Sequence, residues 1–153
     1  MSIKKIACCT DFSEHADEAF MAALDLAKKY DAKLFVIHVL PPVVNPMITG
    51  EELVLPDEPK KTLILKLEDR MQQEYGPRIG EPLEFELVVL DGHVSSEIIR
   101  FLEEGGIDLV VMGAYGFSGM GLVLFGSVAK RVAHKAPCSV MIVRKRKTSE
   151  SPA

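Results

Sequence analysis

Two uninterrupted apolar runs, Leu34-Phe35-Val36-Ile37 and Leu109-Val110-Val111-Met112, constrain this chain more than any other feature. A strand with one face in water alternates apolar and polar side chains. Continuous apolar runs of this length instead suit strands covered on both faces, as in a parallel sheet between helices. Five segments read as strands: 3–9, 33–40, 84–90, 108–112 and 139–144. Helical patterns lie between them. Segment 14–30 sets Ala16, Ala19, Phe20, Ala23, Leu24 and Ala27 on one stripe, with Ser13 placed as its N-cap. Segment 63–75 repeats Leu63, Leu67 and Met71 at intervals of four, and Gly76-Pro77 reads as its stop. A third helix opens at Ser95 or Ser96, turns Ile98, Ile99, Phe101 and Leu102 inward, and stops at Gly105-Gly106. The fourth covers 127–135, before Pro137. Strand and helix therefore alternate from end to end, which predicts an α/β domain with a parallel sheet, helices on both faces and right-handed crossovers.

Length and composition agree with a single domain. A chain of 153 residues buries about two thirds of its unfolded surface on folding. Apolar residues at 48% and charged residues at 26% are globular values, so no metal or disulfide is needed to hold the core. The reading takes 1–147 as the domain and 148–153 as a flexible tail. A net charge of -4 argues against nucleic acid or an anionic membrane as partner. The basic run Arg144-Lys145-Arg146-Lys147 reads as a solvated end that keeps the last strand from extending. With no signal peptide and no apolar stretch of membrane-spanning length, the expected location is the cytoplasm, where Cys8, Cys9 and Cys138 stay reduced. Segment 41–59 holds five prolines and one glycine and is expected to form a long surface loop of the lid or binding type.

In open α/β sheets ligands bind beyond the carboxyl ends of the strands. The residues there are Thr10-Asp11-Phe12-Ser13 after the first strand, Val39-Leu40 at the end of the second, Asp91-Gly92-His93 after the third, and the stretch 113–127 after the fourth. That stretch holds five of the 11 glycines of the protein, at 113, 116, 119, 121 and 126. Glycines let backbone N–H groups approach phosphates closely, and Gly126-Ser127 opens a helix whose free N–H groups and hydroxyl add to an anion site. An ordinary flexible connection with a serine cap is the competing reading. The P-loop and dinucleotide fingerprints are both missing from the sequence. His15, His38, His93 and His134 lie in different segments without metal-ligand spacing.

The pattern Gly113-x2-Gly116-x9-Gly126-Ser127 resembles the nucleotide motif of the universal stress proteins, in the subgroup that binds ATP. Thr10-Asp11-Phe12-Ser13, His38-Val39, the run from Asp108 to Gly113 and Ala136-Pro137-Cys138-Ser139-Val140 match the habits of the same family, so the resemblance spans nearly the whole chain. It implies a single-domain, three-layer Rossmann-like fold with a five-stranded parallel sheet in the order 3-2-1-4-5. It implies that Thr10 and Asp11 meet adenine and ribose, and that Val39 contacts adenine through its backbone. Met112 and Gly113 would lie under the ribose, and Gly116, Gly126, Ser127 and Val128 would donate to the phosphates. Mg2+ or Mn2+ would be held mainly through phosphate oxygens. A homodimer through the last strand, 139–144, is implied as well. Two positions depart from the family pattern: Cys9, where proline or a small apolar residue is frequent, and Phe117, where a basic or polar residue is frequent. The implied function is a stress-response switch or sensor with little or no catalysis. A non-nucleotide interaction module and a weak ATPase are the alternatives.

Overall fold

The structure, a computed structural model, describes residues 1–42, 57–115 and 126–145. They form β1 (Lys5–Cys9), α1 (Glu14–Tyr30), β2 (Lys33–Leu40), α2 (Asp57–Ile79), β3 (Phe85–Asp91), α3 (Val94–Gly105), β4 (Leu109–Gly113), α4 (Ser127–Lys135) and β5 (Ser139–Val143). The five strands make one sheet in the order β3-β2-β1-β4-β5, and every neighbouring pair is parallel.

Period-two alternation explains how continuous apolar strands are used, since successive side chains point to opposite faces. Ile6, Cys8, Leu34, Val36, Leu109 and Val111 enter one core with Ala19, Phe20 and Ala23 of α1 and Met71 and Tyr75 of α2. The residues between them, Ala7, Phe35, Ile37, Val39, Val110 and Met112, enter a second core with Ile98 and Leu102 of α3 and Ala129 and Val132 of α4. The sheet is thus a middle layer with helices on each side. All six predicted stripe residues of α1 are buried. The hydroxyl of Ser13 accepts from the Ala16 N–H at 3.2 Å, as expected of an N-cap. Asp108 ties two strands together: its carboxylate accepts from the backbone N–H groups of Lys4 and Lys5 at 2.9 and 3.0 Å.

Several expected boundaries are corrected. Helix α2 does not stop at Gly76-Pro77 but runs through both to Ile79. Met71, Tyr75 and Ile79, one turn apart, are all buried, and Arg78 forks onto both Asp17 carboxylate oxygens at 2.6 and 3.1 Å. Packing of this stripe outweighs the hydrogen bond that a proline near a helix end forgoes. The same helix begins at Asp57, so Pro59 belongs to its first turn rather than to a loop. First-turn N–H groups have no intrahelical acceptor, and a proline costs little there. The rest of the expected loop, 43–56, lies outside the described residues.

Helix α3 is capped by His93, not opened by Ser95 or Ser96. The preceding Gly92 has φ +142°, a conformation that favours glycine, and it sets the turn one residue earlier than the serines suggest. Gly106 closes the helix in the left-handed region, as expected. Of the basic run, Lys145 is not simply solvated: its ammonium lies 2.7 Å from the Glu14 carboxylate.

Candidate functional site

The winding direction of the sheet reverses between β1 and β4, because β2 follows β1 on one side while β4 and β5 continue on the other. A cavity of about 450 Å³ opens over the carboxyl ends of the strands at this point, where α/β sheets usually bind ligands. Thr10 and Asp11 reach it from the end of β1, Val39 from β2, Met112 and Gly113 from β4, and Gly126, Ser127 and Val128 from the start of α4. Eight of the nine expected site residues therefore line one space. The ninth, Gly116, lies outside the described residues, as do Gly119, Gly121 and Phe117.

The turn after β1 is held by its own side chains. Thr10 is buried; its Oγ1 accepts from the Phe12 N–H at 2.9 Å and is hydrogen-bonded to the Tyr75 hydroxyl. Asp11 Oδ1 accepts from the Ser13 N–H at 2.9 Å. Between them Phe12 takes φ +67°, which is strained for an aromatic residue. Its ring rests against His38, with centroids 4.7 Å apart, and lies beneath the Arg70 guanidinium at 3.9 Å. The cation–aromatic contact and the two side-chain hydrogen bonds together fix a conformation the backbone alone disfavours.

His38 lines the cavity, and its Nδ1 lies 2.9 Å from the Thr10 carbonyl oxygen. A carbonyl only accepts, so Nδ1 carries the proton. Burial pushes the imidazole below its ordinary range, against the opposing pull of that hydrogen bond and of Asp11. The ring is therefore neutral at pH 7. Cys9, the first of the two departures from the family pattern, also lines the cavity. Burial, with a smaller contribution from charge on Cys138, pushes its thiol up to about 12. It stays protonated and serves as a small apolar wall, much as the residues frequent at that position would. Tyr75 is likewise pushed up to about 12 by burial, so its hydroxyl keeps its proton beside Thr10.

The start of α4 differs chemically from the other capped helices. Ser13 caps α1 and acidic Glu14 and Asp17 fill its first turn; His93 caps α3, with Glu97 in its first turn. At α4 the N-cap is Gly126, which has no side chain to cap with, no side chain among the described residues caps the helix, and no acidic residue lies in the first turn. The N–H groups of Ser127, Val128 and Ala129 have no intrahelical acceptor, and their residues line the cavity. The positive end of the helix dipole is thus left for an anion.

The two flanking glycines play different parts. A Cβ on Gly113 would lie 2.8 Å from the His15 carbonyl oxygen and 2.9 Å from its carbon. This glycine is required by the close approach of α1 to the end of β4. A Cβ on Gly126 would meet the Ala114 carbonyl oxygen at 3.7 Å, which is ordinary contact.

Sequence reasoning did not single out Tyr115, Val94 and Ile98 as lining residues, and it marks Pro41 only as the start of the expected 41–59 loop. Val94 and Ile98 belong to an amphipathic helix, and nothing in their spacing separates cavity wall from core. Tyr115 falls inside the glycine stretch and packs edge-on to His15, centroids 5.2 Å apart; an aromatic between glycines was the available signal.

Residues 2–144 match the profile of the Universal stress protein family. The chain belongs to the universal stress protein family. It is 36% identical over 150 residues to universal stress protein MJ0531 of Methanocaldococcus jannaschii, covering 94% of this chain and 84% of that protein. In structure it is similar to universal stress protein UspA of Lactobacillus plantarum, with a TM-score of 0.76 at 22% identity over 94% of this chain and 99% of that one. It is also similar to a universal stress protein of Archaeoglobus fulgidus in complex with dAMP, with a TM-score of 0.63 at 20% identity over 93% of this chain and 98% of that one. These structural likenesses carry the fold, which is the three-layer α/β arrangement with sheet order 3-2-1-4-5 expected above.

Proposed function

We propose that this universal stress protein belongs to the ATP-binding subgroup and acts in the cytoplasm as a stress-response switch or sensor, holding its nucleotide with little or no catalysis. One observation carries the reading: the uncapped start of α4 shares a cavity with Thr10, Asp11 and Val39. A phosphate chain and a nucleoside need these two environments at once, a cluster of free N–H donors beside an apolar wall with a few polar groups. In the proposed arrangement Thr10 and Asp11 face adenine and ribose, Val39 contacts adenine through its backbone, and Met112 and Gly113 lie under the ribose. Gly126, Ser127, Val128 and the glycine at 116 serve the phosphates. The dAMP bound by the Archaeoglobus fulgidus protein supports an adenine nucleotide as ligand. Among the described residues no group of three His, Cys, Asp or Glu side chains is placed to hold a metal ion. In this reading Mg2+ or Mn2+ arrives with the nucleotide, held mainly by phosphate oxygens and water.

Calorimetric titration with Mg-ATP is expected to give one saturable site per chain. Saturation at a hundredfold excess over Kd adds about 2.7 kcal/mol to apparent stability, which for a domain of this size raises the melting temperature by about 5–10 °C. Absence of both the heat and the shift would return the chain to the non-nucleotide interaction reading.

We also propose a homodimer through the strand at 139–144. Strand β5 ends the sheet, so one row of its backbone groups has no strand partner among the described residues, and Met141 on it is 38% exposed. Sedimentation equilibrium is expected to give twice the chain mass; a monomer at every concentration up to the millimolar range discards this part.

A further inference from the structure

We propose that the exposed face of α4 is a second phosphate-binding strip, continuous with the cavity, that takes a linear phosphate chain longer than a triphosphate. The direction of that chain rests on the nucleotide reading above; the strip itself does not. A shallow groove of about 400 Å³ runs along α4, lined by Ser127, Lys130, Arg131, His134 and Lys135. Their spacing places them on one face of the helix, and all five are exposed. Ser127 lines both this groove and the cavity, so the two spaces meet at the helix start.

The charge pattern is not that of an ordinary solvated face. The segment Ser-Val-Ala-Lys-Arg-Val-Ala-His-Lys contains no acidic residue. On α3, by contrast, Arg100 sits between Glu97 and Glu104 and pairs with both. Among the described residues Lys130, Arg131 and Lys135 make no ion pair or side-chain hydrogen bond, although the chain as a whole carries a net charge of -4. The helix dipole favours cations in the last turn, which accounts for His134 and Lys135 but not for Lys130, one turn from the N-terminus, or Arg131 beside it. Unmatched like charges on one stripe cost helix stability. An anion that spans the stripe removes that cost. From Ser127 to Lys135 the stripe is about 12 Å long at the helix rise, the reach of several phosphate units in line. A nucleic-acid duplex fits less well, because its phosphates demand cations from several elements and the remaining surface is acidic on balance.

The test compares four probes by calorimetry at fixed salt: Mg-ATP, adenosine 5′-tetraphosphate, inorganic tetrapolyphosphate and a short DNA duplex. They are titrated into the wild type and into Lys130→Gln/Arg131→Gln/His134→Gln/Lys135→Gln, with melting temperature as the folding control. Exposed ion pairs are individually weak, so several together are expected to make adenosine tetraphosphate bind about tenfold tighter than ATP. That advantage, and binding of inorganic tetrapolyphosphate, should vanish in the variant while ATP affinity stays within about twofold. If ATP fails to bind but tetrapolyphosphate still distinguishes the two proteins, the strip stands and the nucleotide reading falls. Equal tetraphosphate affinities in wild type and variant overturn the strip. Duplex binding that depends on the four residues, without tetraphosphate binding, overturns it in favour of nucleic acid.

Discussion

Gly113→Ala protein is expected to melt about 4–8 °C below the wild type, corresponding to a loss of about 2 kcal/mol. The backbone at Gly113 does not use a left-handed conformation, so the cost is steric and not conformational. The added methyl would sit 2.8 Å from the His15 carbonyl oxygen and 3.2 Å from the His15 Cβ. The first of these is a backbone atom of α1, held in a hydrogen-bonded helix whose Ala16, Ala19 and Phe20 are buried against the sheet. Relief therefore requires α1 to move away from β4, opening contacts on which the first core depends. The lower conformational entropy of unfolded alanine returns only about 0.4–1 kcal/mol. Thermal unfolding followed by circular dichroism measures the result. An unchanged melting temperature would mean that α1 and β4 do not approach as closely as the structure has them. Nucleotide binding is a poor readout for this substitution, because any loss would mix the site with the fold.

The same residue shows where sequence reading stopped. The glycine pattern points to Gly113 as a site residue, and it lines the cavity. The reason only glycine fits there is a contact with His15, nearly a hundred residues earlier, that no local pattern encodes. The strands and the α1 stripe were legible in local pattern, continuous apolar runs for the strands and a 3.6-residue period for the helix, whereas the sheet order 3-2-1-4-5 follows from no local pattern and came only with the family resemblance. The length of α2 was not legible either, since Gly76-Pro77 carries a stop signal that is overridden by burial of Tyr75 and Ile79 and by the Arg78–Asp17 fork. The cap of α3 was missed because histidine is a rare N-cap while Ser95 and Ser96 are favourable ones. In the site, the Thr10–Tyr75 hydrogen bond and the neutral His38 ring depend on partners 65 and 28 residues distant, and the strained Phe12 backbone is held in part by Arg70 on α2. Thr10 and His38 line the cavity, yet the sequence marks each only as a polar residue near a strand end. Cys9 illustrates the converse. It departs from the family pattern in residue type but not in physical character, because burial keeps the thiol neutral.

Gly126→Ala is expected to separate binding from stability. The backbone at Gly126 has φ -63° and ψ 154°, which alanine adopts without strain. Its nearest neighbours would be the Ala114 carbonyl oxygen at 3.7 Å and the Tyr115 Cα at 4.0 Å. The hydrogen bond from the Gly126 N–H to the Ala114 carbonyl, at 2.6 Å, is retained. Alanine is a poorer N-cap than glycine, but it lowers the entropy of the unfolded chain by a comparable amount, so the melting temperature should stay within about 2 °C. Binding is another matter. A phosphate oxygen must come within about 2.9 Å of the N–H groups it accepts from, and a methyl beside the N–H groups of Ser127 and Val128 holds it off. ATP affinity is therefore expected to fall tenfold or more, about 1.4 kcal/mol at least. Adenosine, which has no phosphates, should bind wild type and variant alike. Titration of both ligands into both proteins measures the four affinities. Equal ATP affinities would remove the phosphates from the α4 terminus. Equal losses for ATP and adenosine would mean that the methyl distorts the whole cavity rather than blocking one approach. The predicted pattern, loss for the phosphorylated ligand alone in a protein of unchanged stability, follows only if this glycine is kept for the ligand and not for the fold.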